Sequence, residues 1–265
     1  MVINPMKTVL YDSTDTEDLH RVNGMRFPDN WRWHNCPMDY TFNSHGWRMN
    51  QEISDIAPDN YLLFVGCSHT VGVGLPIEET FPWIISQKFN MDYINTAVSG
   101  ISPQFAADTM LTVLNSHPKP AAIIINWPSL YAKVYYDSVR PVHCLPGRSF
   151  AVAEPYKESY LKYLNNEGHI ITEFNVLRTR VTTIARLLAI RLVEFTQCAT
   201  PLNKQLDVPI LNTARLKESD SITVLNEDFA RDVQRPSTGW LGHYGISQQQ
   251  LIVDYCAAKL ATAGL

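Results

Sequence analysis

The stretch Tyr61-Leu-Leu-Phe-Val-Gly-Cys-Ser-His-Thr-Val-Gly-Val-Gly74 decides how this chain folds. Its first five residues are apolar without alternation, and the run stops at Gly66. An apolar run that lacks a period of two suits a strand covered on both faces, the situation inside a parallel sheet. Such a sheet needs helical crossovers. Glu78 to Phe89 supplies the first, with acids at its start and Pro82 placed where a first helical turn tolerates it. The alternation continues with a strand at Tyr93 to Val98, a helix near Pro103 to Leu114, and a strand at Ala121 to Asn126. Strands alternating with helices predict right-handed βαβ units and an α/β fold.

Outside this block the pattern is weaker. Residues 128–170 are tyrosine-rich and aperiodic and read as an insertion, with a short helix at Glu154 to Leu164. A helix is expected from Glu173 to Thr196, because Phe174, Leu177, Val181, Ile184, Leu188, Leu192 and Phe195 recur every three or four positions. That stripe reads as core, or otherwise as a dimer contact, which leaves a homo-oligomer open. Strands at Val208 to Leu211 and Ser221 to Val224 and a helix from Ile246 to Ala261 follow. Residues 1–58 carry Trp31, Trp33, Tyr40, Phe42 and Trp47 between prolines, with no helical or strand period. They read as an extension wrapped over a core that occupies residues 59–265.

The 265 residues are 45% hydrophobic and only 18% charged, which excludes a disordered chain or a charged coiled coil. A net charge of -4 provides no positive field for a phosphate backbone, so no nucleic-acid partner is expected. The longest aliphatic run, Ala121 to Ile125, is far short of the ~20 apolar residues of a spanning helix, and no membrane role is expected. The first residues lack the apolar core of a signal peptide, so the expected address is the cytoplasm. Five widely spaced cysteines, Cys36, Cys67, Cys144, Cys198 and Cys256, indicate neither a disulfide framework nor a zinc knuckle and read as reduced thiols.

In open α/β sheets the ligand crevice lies outside the carboxyl ends of the strands, so the residues just after each strand are the candidates. Ser68 follows the first strand, Gly100 lies beyond the second, and Asn126 ends the third. A serine hydroxyl is a weak nucleophile until a base takes its proton. His243, in Gly242-His-Tyr-Gly-Ile246 just before the C-terminal helix, can return to the same crevice as that base. The backbone N–H groups of Ser68 and Gly100, with the Asn126 amide, would stabilise an oxyanion. The bland alternatives are a turn serine that caps the next segment and a loop histidine. Cys67 is the rival nucleophile, but a thiol tied into a strand end is usually inert. His69, adjacent to Ser68, suits packing or substrate contact better than catalysis. His34, Cys36 and His45 lack a metal-ligand spacing.

Gly66-Cys-Ser-His-Thr-Val-Gly-Val-Gly74 resembles the first block of the SGNH/GDSL hydrolases in the variant form G-D/C-S-F/H-T-x-G-x-G. Asn43-Ser-His-Gly-Trp-Arg48 is similar to the N-S-x-G-F/W-R lead-in of many members. Glu78-Glu-Thr-Phe-Pro82, Asn95 with Gly100, and Asp232 with His243 ahead of a terminal helix fall in that family's order. The resemblance implies a three-layer αβα, flavodoxin-like fold and an esterase acting on an acyl, even acetyl, ester of a carbohydrate or small molecule. It implies no metal and no organic cofactor. It assigns Ser68 as nucleophile, His243 as base and Asp232 as the acid that orients it, with Ser68, Gly100 and Asn126 as oxyanion donors. The chain departs from the pattern in three places, the mildest being Cys67 where the family often has aspartate. Trp240 stands three residues before His243 where the family has its aspartate, and Asn126-Trp-Pro-Ser129 replaces G-x-N-D. A non-catalytic SGNH-like module for carbohydrate binding or assembly is the alternative.

Overall fold

A computed structural model describes residues 6–12, 15–36, 38–137, 140–144, 166–198, 200–211, 230–231 and 243–262. The run that opens the sequence reading is β3 (Tyr61–Val65), and every residue in it is buried. Beside it lie β4 (Asp92–Asn95) and β5 (Ala122–Asn126), and β8 (Arg191–Phe195) closes the sheet beyond β5. All pairings in this four-stranded sheet are parallel, in the order β4-β3-β5-β8. The chain steps from β3 outward to β4, then crosses back to β5 on the other side of β3. This reversal puts a topological switch point between β3 and β5, where a ligand crevice forms at the carboxyl ends.

Helices cover both faces. α3 (Phe81–Phe89) packs with α6 (Ile246–Ala261) on one side, and α4 (Pro103–Ser116) packs with α5 (Glu167–Leu187) on the other. Local chemistry fixes their ends: the Ser102 hydroxyl accepts from the Phe105 N–H at 3.2 Å ahead of Pro103, and the Asn166 side chain accepts from the His169 N–H at 3.1 Å. The architecture is the three-layer αβα fold. Among the described residues no helix is long and apolar enough to cross a membrane.

The expected helix from Glu173 to Thr196 is corrected at both ends. α5 begins at Glu167 and stops at Leu187, and Leu192 and Phe195 belong to β8. Ala189 turns the chain with a positive φ of 49°. Its N–H bonds the Arg186 carbonyl and the Ile190 N–H bonds the Ala185 carbonyl, a Schellman ending without the customary glycine. Val208 to Leu211 is not a full strand either. It makes one parallel bridge, Thr196 to Ile210, at the end of β8. The expected strand Ser221 to Val224 and helix Glu154 to Leu164 lie outside the described residues.

The N-terminal segment is more regular than its composition suggests. β1 (Lys7–Val9) pairs antiparallel with β2 (Tyr40–Phe42), and α1 (Glu17–Arg26) is capped by Thr16. Trp31, Trp33 and Tyr40 are buried, and Trp47, Met49, Ile53 and Ile56 join the main core. After β5, β6 (Lys133–Asp137) pairs antiparallel with β7 (Arg140–Cys144), and β6 lies against α4.

Candidate active site

The site is built on the turn that leaves β3. Gly66 is required there by space: a Cβ would sit 2.2 Å from the Thr70 Oγ1 and 2.9 Å from the Asn126 carbonyl oxygen. With no side chain at that point, the one-turn helix α2 (Ser68–Val71) folds directly onto the ends of β3 and β5. Cys67 caps it, its carbonyl accepting from the Thr70 and Val71 N–H groups at 2.8 and 3.0 Å. Gly72 ends it in the left-handed region, φ 75°, with its N–H on the Ser68 carbonyl at 3.0 Å. The Asn95 amide, from the end of β4, donates to the Thr70 carbonyl at 3.0 Å. Ser68 is thereby the first residue of α2, half-buried, at the switch point.

His243 reaches the same end of the sheet. It is 2% exposed, and its ring packs edge-on against His69, the next residue after Ser68, with centroids 4.9 Å apart. Tyr244 stacks on the other aspect of the His69 ring at 4.9 Å. Burial first, and the neighbouring His243 second, hold the His69 imidazole well below the usual histidine range, so it is neutral at neutral pH. The Nδ1 of His69 is buried and finds no hydrogen-bond partner among the described residues. Burial pushes the Cys67 thiol up, which keeps it protonated and leaves Ser68 as the nucleophile candidate in this turn.

Two of the three oxyanion candidates have distinct surroundings. Gly100 has a φ of 76° in the loop after β4, and that loop is drawn to the turn by the Val98 N–H on the Gly66 carbonyl at 3.2 Å. Asn126 is 1% exposed and is engaged with Gln197: its Nδ2 donates to the Gln197 Oε1 at 2.6 Å, and its Oδ1 accepts from the Gln197 N–H at 3.2 Å. Asp232 lies outside the described residues, as does Trp240.

Gln197 escapes a reading of the sequence, and so do the partners of Arg48. Gln197 follows β8, a strand hidden inside an apparent helix. Arg48, at the end of the Asn43 to Arg48 lead-in, is 1% exposed and sends its guanidinium to the backbone beyond Ser68. It donates to the carbonyls of Val71, Gly72 and Leu75 at 3.1, 2.5 and 2.7 Å, and to Asp39 at 3.2 Å. Its charge lies 4.3 Å over the Tyr40 ring. The lead-in resemblance marks Arg48 in the sequence, but not the carbonyls that it clamps.

A glycine-cysteine-serine turn at the switch point of a β4-β3-β5-β8 sheet, with a histidine returned from just ahead of the last helix, decides the architecture. The fold is a doubly covered parallel α/β sheet with the flavodoxin-like strand order. No family model matches the chain, and no curated protein matches it. Among solved structures it is similar to the psychrotrophic esterase EstA from Pseudoalteromonas sp., at 13% identity and a TM-score of 0.40, over 77% of this chain and 98% of that one. A putative lipolytic protein of the G-D-S-L family from Desulfitobacterium hafniense gives 13% identity and a TM-score of 0.40, over 76% and 99%. A carbohydrate esterase described as having divergent catalytic and non-catalytic binding functions gives 13% identity and a TM-score of 0.38, over 78% and 66%. Likeness of this extent decides nothing about chemistry, which stands on the residues at the strand ends.

Proposed function

We propose that the protein is a serine esterase of the SGNH type. The observation that carries this reading is the meeting of two segments far apart in sequence: the α2 turn that bears Ser68, and His243, whose ring lies against His69. In the proposed reaction the Ser68 Oγ attacks an ester carbonyl while His243 takes its proton. The N–H groups of Ser68 and Gly100 receive the oxyanion, with Asn126 as a third donor. The intermediate collapses as His243 returns the proton to the leaving alcohol, and water then releases the acid by the same steps in reverse order. Asp232 is assigned as the orienting acid. An acetyl or other short acyl ester of a carbohydrate or small molecule is the proposed substrate, on the strength of the motif blocks.

A second reading has one observation in its favour. The Asn126 amide is engaged with Gln197, as a binding module that no longer needs an oxyanion donor would allow. Turnover separates the two readings. The esterase should hydrolyse p-nitrophenyl acetate, and Ser68→Ala should lose about 10³-fold or more in kcat. Turnover at the level of buffer, or undiminished in Ser68→Ala, would overturn the catalytic reading in favour of the binding module.

A further inference from the structure

The N-terminal segment and the segment before His243 are joined by a buried polar network that the catalytic scheme does not use. Asp15 is fully buried and Arg231 is 3% exposed. The Arg231 Nε donates to the Asp15 Oδ1 at 3.1 Å and the Nη2 donates to the Oδ2 at 2.7 Å, a two-point fork, while the Nη2 also reaches the Leu10 carbonyl at 2.9 Å. The Tyr40 hydroxyl donates to the same Asp15 Oδ2 at 2.5 Å and accepts from the Gly74 N–H at 2.8 Å. Gly74 is held a second time, its carbonyl accepting from the Arg231 N–H at 2.9 Å. One residue earlier the Ala230 N–H donates to the His243 carbonyl at 3.0 Å. The Asn23 amide closes the set on the Arg231 carbonyl at 3.3 Å.

The connectivity has a direction. The loop that continues from Ser68 through Gly74 is bonded to Arg231, the neighbouring Ala230 is bonded to His243, and Asp15 with Tyr40 holds both Gly74 and Arg231 from the far side. A buried ion pair contributes little net stability compared with an apolar pair of the same volume, because both charges lose their hydration. What a bidentate guanidinium–carboxylate fork does supply is fixed geometry. We propose that Asp15 and Arg231 are positioning residues: with Tyr40 they fix residues 230–231 against Gly74 and so hold the backbone of His243 in register with the turn that carries Ser68. The inference rests on the esterase reading above. It gives the N-terminal segment a part in turnover, beyond its contribution of apolar area.

The test uses the full chain and active-site titration with a fluorophosphonate probe, which counts competent Ser68 residues. Arg231→Met and Tyr40→Phe should be titrated to completion, yet label more slowly and show kcat per titrated site lowered by about 10²-fold and about tenfold respectively, with KM within about twofold. Arg231→Lys keeps the charge with a single contact and should recover part of the loss. Arg178→Met serves as the comparator. It breaks a partly exposed pair, with Glu194 at 2.5 Å, between α5 and β8, and should lower Tm without altering kcat per titrated site. If Tyr40→Phe and Arg231→Met reduce only the titre of labelled sites, or match wild type per site, the positioning role is overturned and the network is structural. A wild-type protein that neither turns over nor labels would instead sink the esterase reading itself.

Discussion

The central sheet is anchored by apolar contact, whereas the N-terminal segment adds buried polar anchors to its apolar contacts. In β3 and β5 every residue is buried, and the contacts across the sheet are between apolar side chains such as Leu63, Phe64, Ile123 and Ile124. The N-terminal segment sends Trp47, Met49, Ile53 and Ile56 into the same core, but its directional ties run through Asp15, Tyr40 and Arg48, each almost fully enclosed. Apolar contact is tolerant of direction, whereas a guanidinium on four carbonyls or a carboxylate on a fork is not. The sheet therefore supplies bulk stability, and the polar anchors supply registration of the loops that carry Ser68 and His243.

The largest stability loss should come from the sheet. Phe64→Ala empties a site packed by Phe81 and Tyr93, and should lower the unfolding free energy by about 3–5 kcal/mol in a denaturant titration. Arg48→Met should cost less, about 3 kcal/mol, by leaving the Val71, Gly72 and Leu75 carbonyls without their donor. Its effect should concentrate locally, as faster amide exchange in residues 71–75 with the sheet unaffected. Equal loss of protection across β3 and β5 would dissolve the contrast between the two regions. Gly66→Ala forces a Cβ toward the Thr70 Oγ1 and the Asn126 carbonyl, and should cost about 1–3 kcal/mol while displacing α2.

The smallest effect concerns pH. His69 has its pKa lowered by burial and by His243, so between that lowered value and the ordinary ~6.5 the unfolded chain holds a proton that the folded chain does not. Stability from this group is complete above ~6.5 and is lost as pH falls through the window. His117 is shifted the same way by burial, so the check is a difference: the decline in Tm from pH 7.5 to 5.5 should be shallower in His69→Phe than in wild type. Parallel declines would show that His69 is not the sensitive group.

The same contrast explains what could be read from the sequence. β3, β5 and α6 were legible because one strand or helix reports its own burial through its own residues, as Ala122 to Asn126 and Ile246 to Ala261 do. β8 was concealed because Ala189 occupies a left-handed helix ending where glycine is the usual signal, and Leu188 and Leu192 continued the helical spacing. At the candidate site, the positions of Ser68 and Gly100 after strands and of His243 before the last helix were legible in the sequence. Gln197 was lost with β8. Asp15 and Arg231 were illegible for a different reason: each is an ordinary surface residue type, and only their meeting across 216 positions gives them a role.

The central claim is that Ser68 is a nucleophile activated by His243, and covalent labelling tests it most directly. A fluorophosphonate probe followed by peptide mass spectrometry should place one adduct on Ser68 in the wild type, none in Ser68→Ala, and an adduct formed about 10³-fold more slowly or worse in His243→Ala. An unlabelled wild type, an adduct on another residue, or labelling undisturbed by His243→Ala would contradict the account.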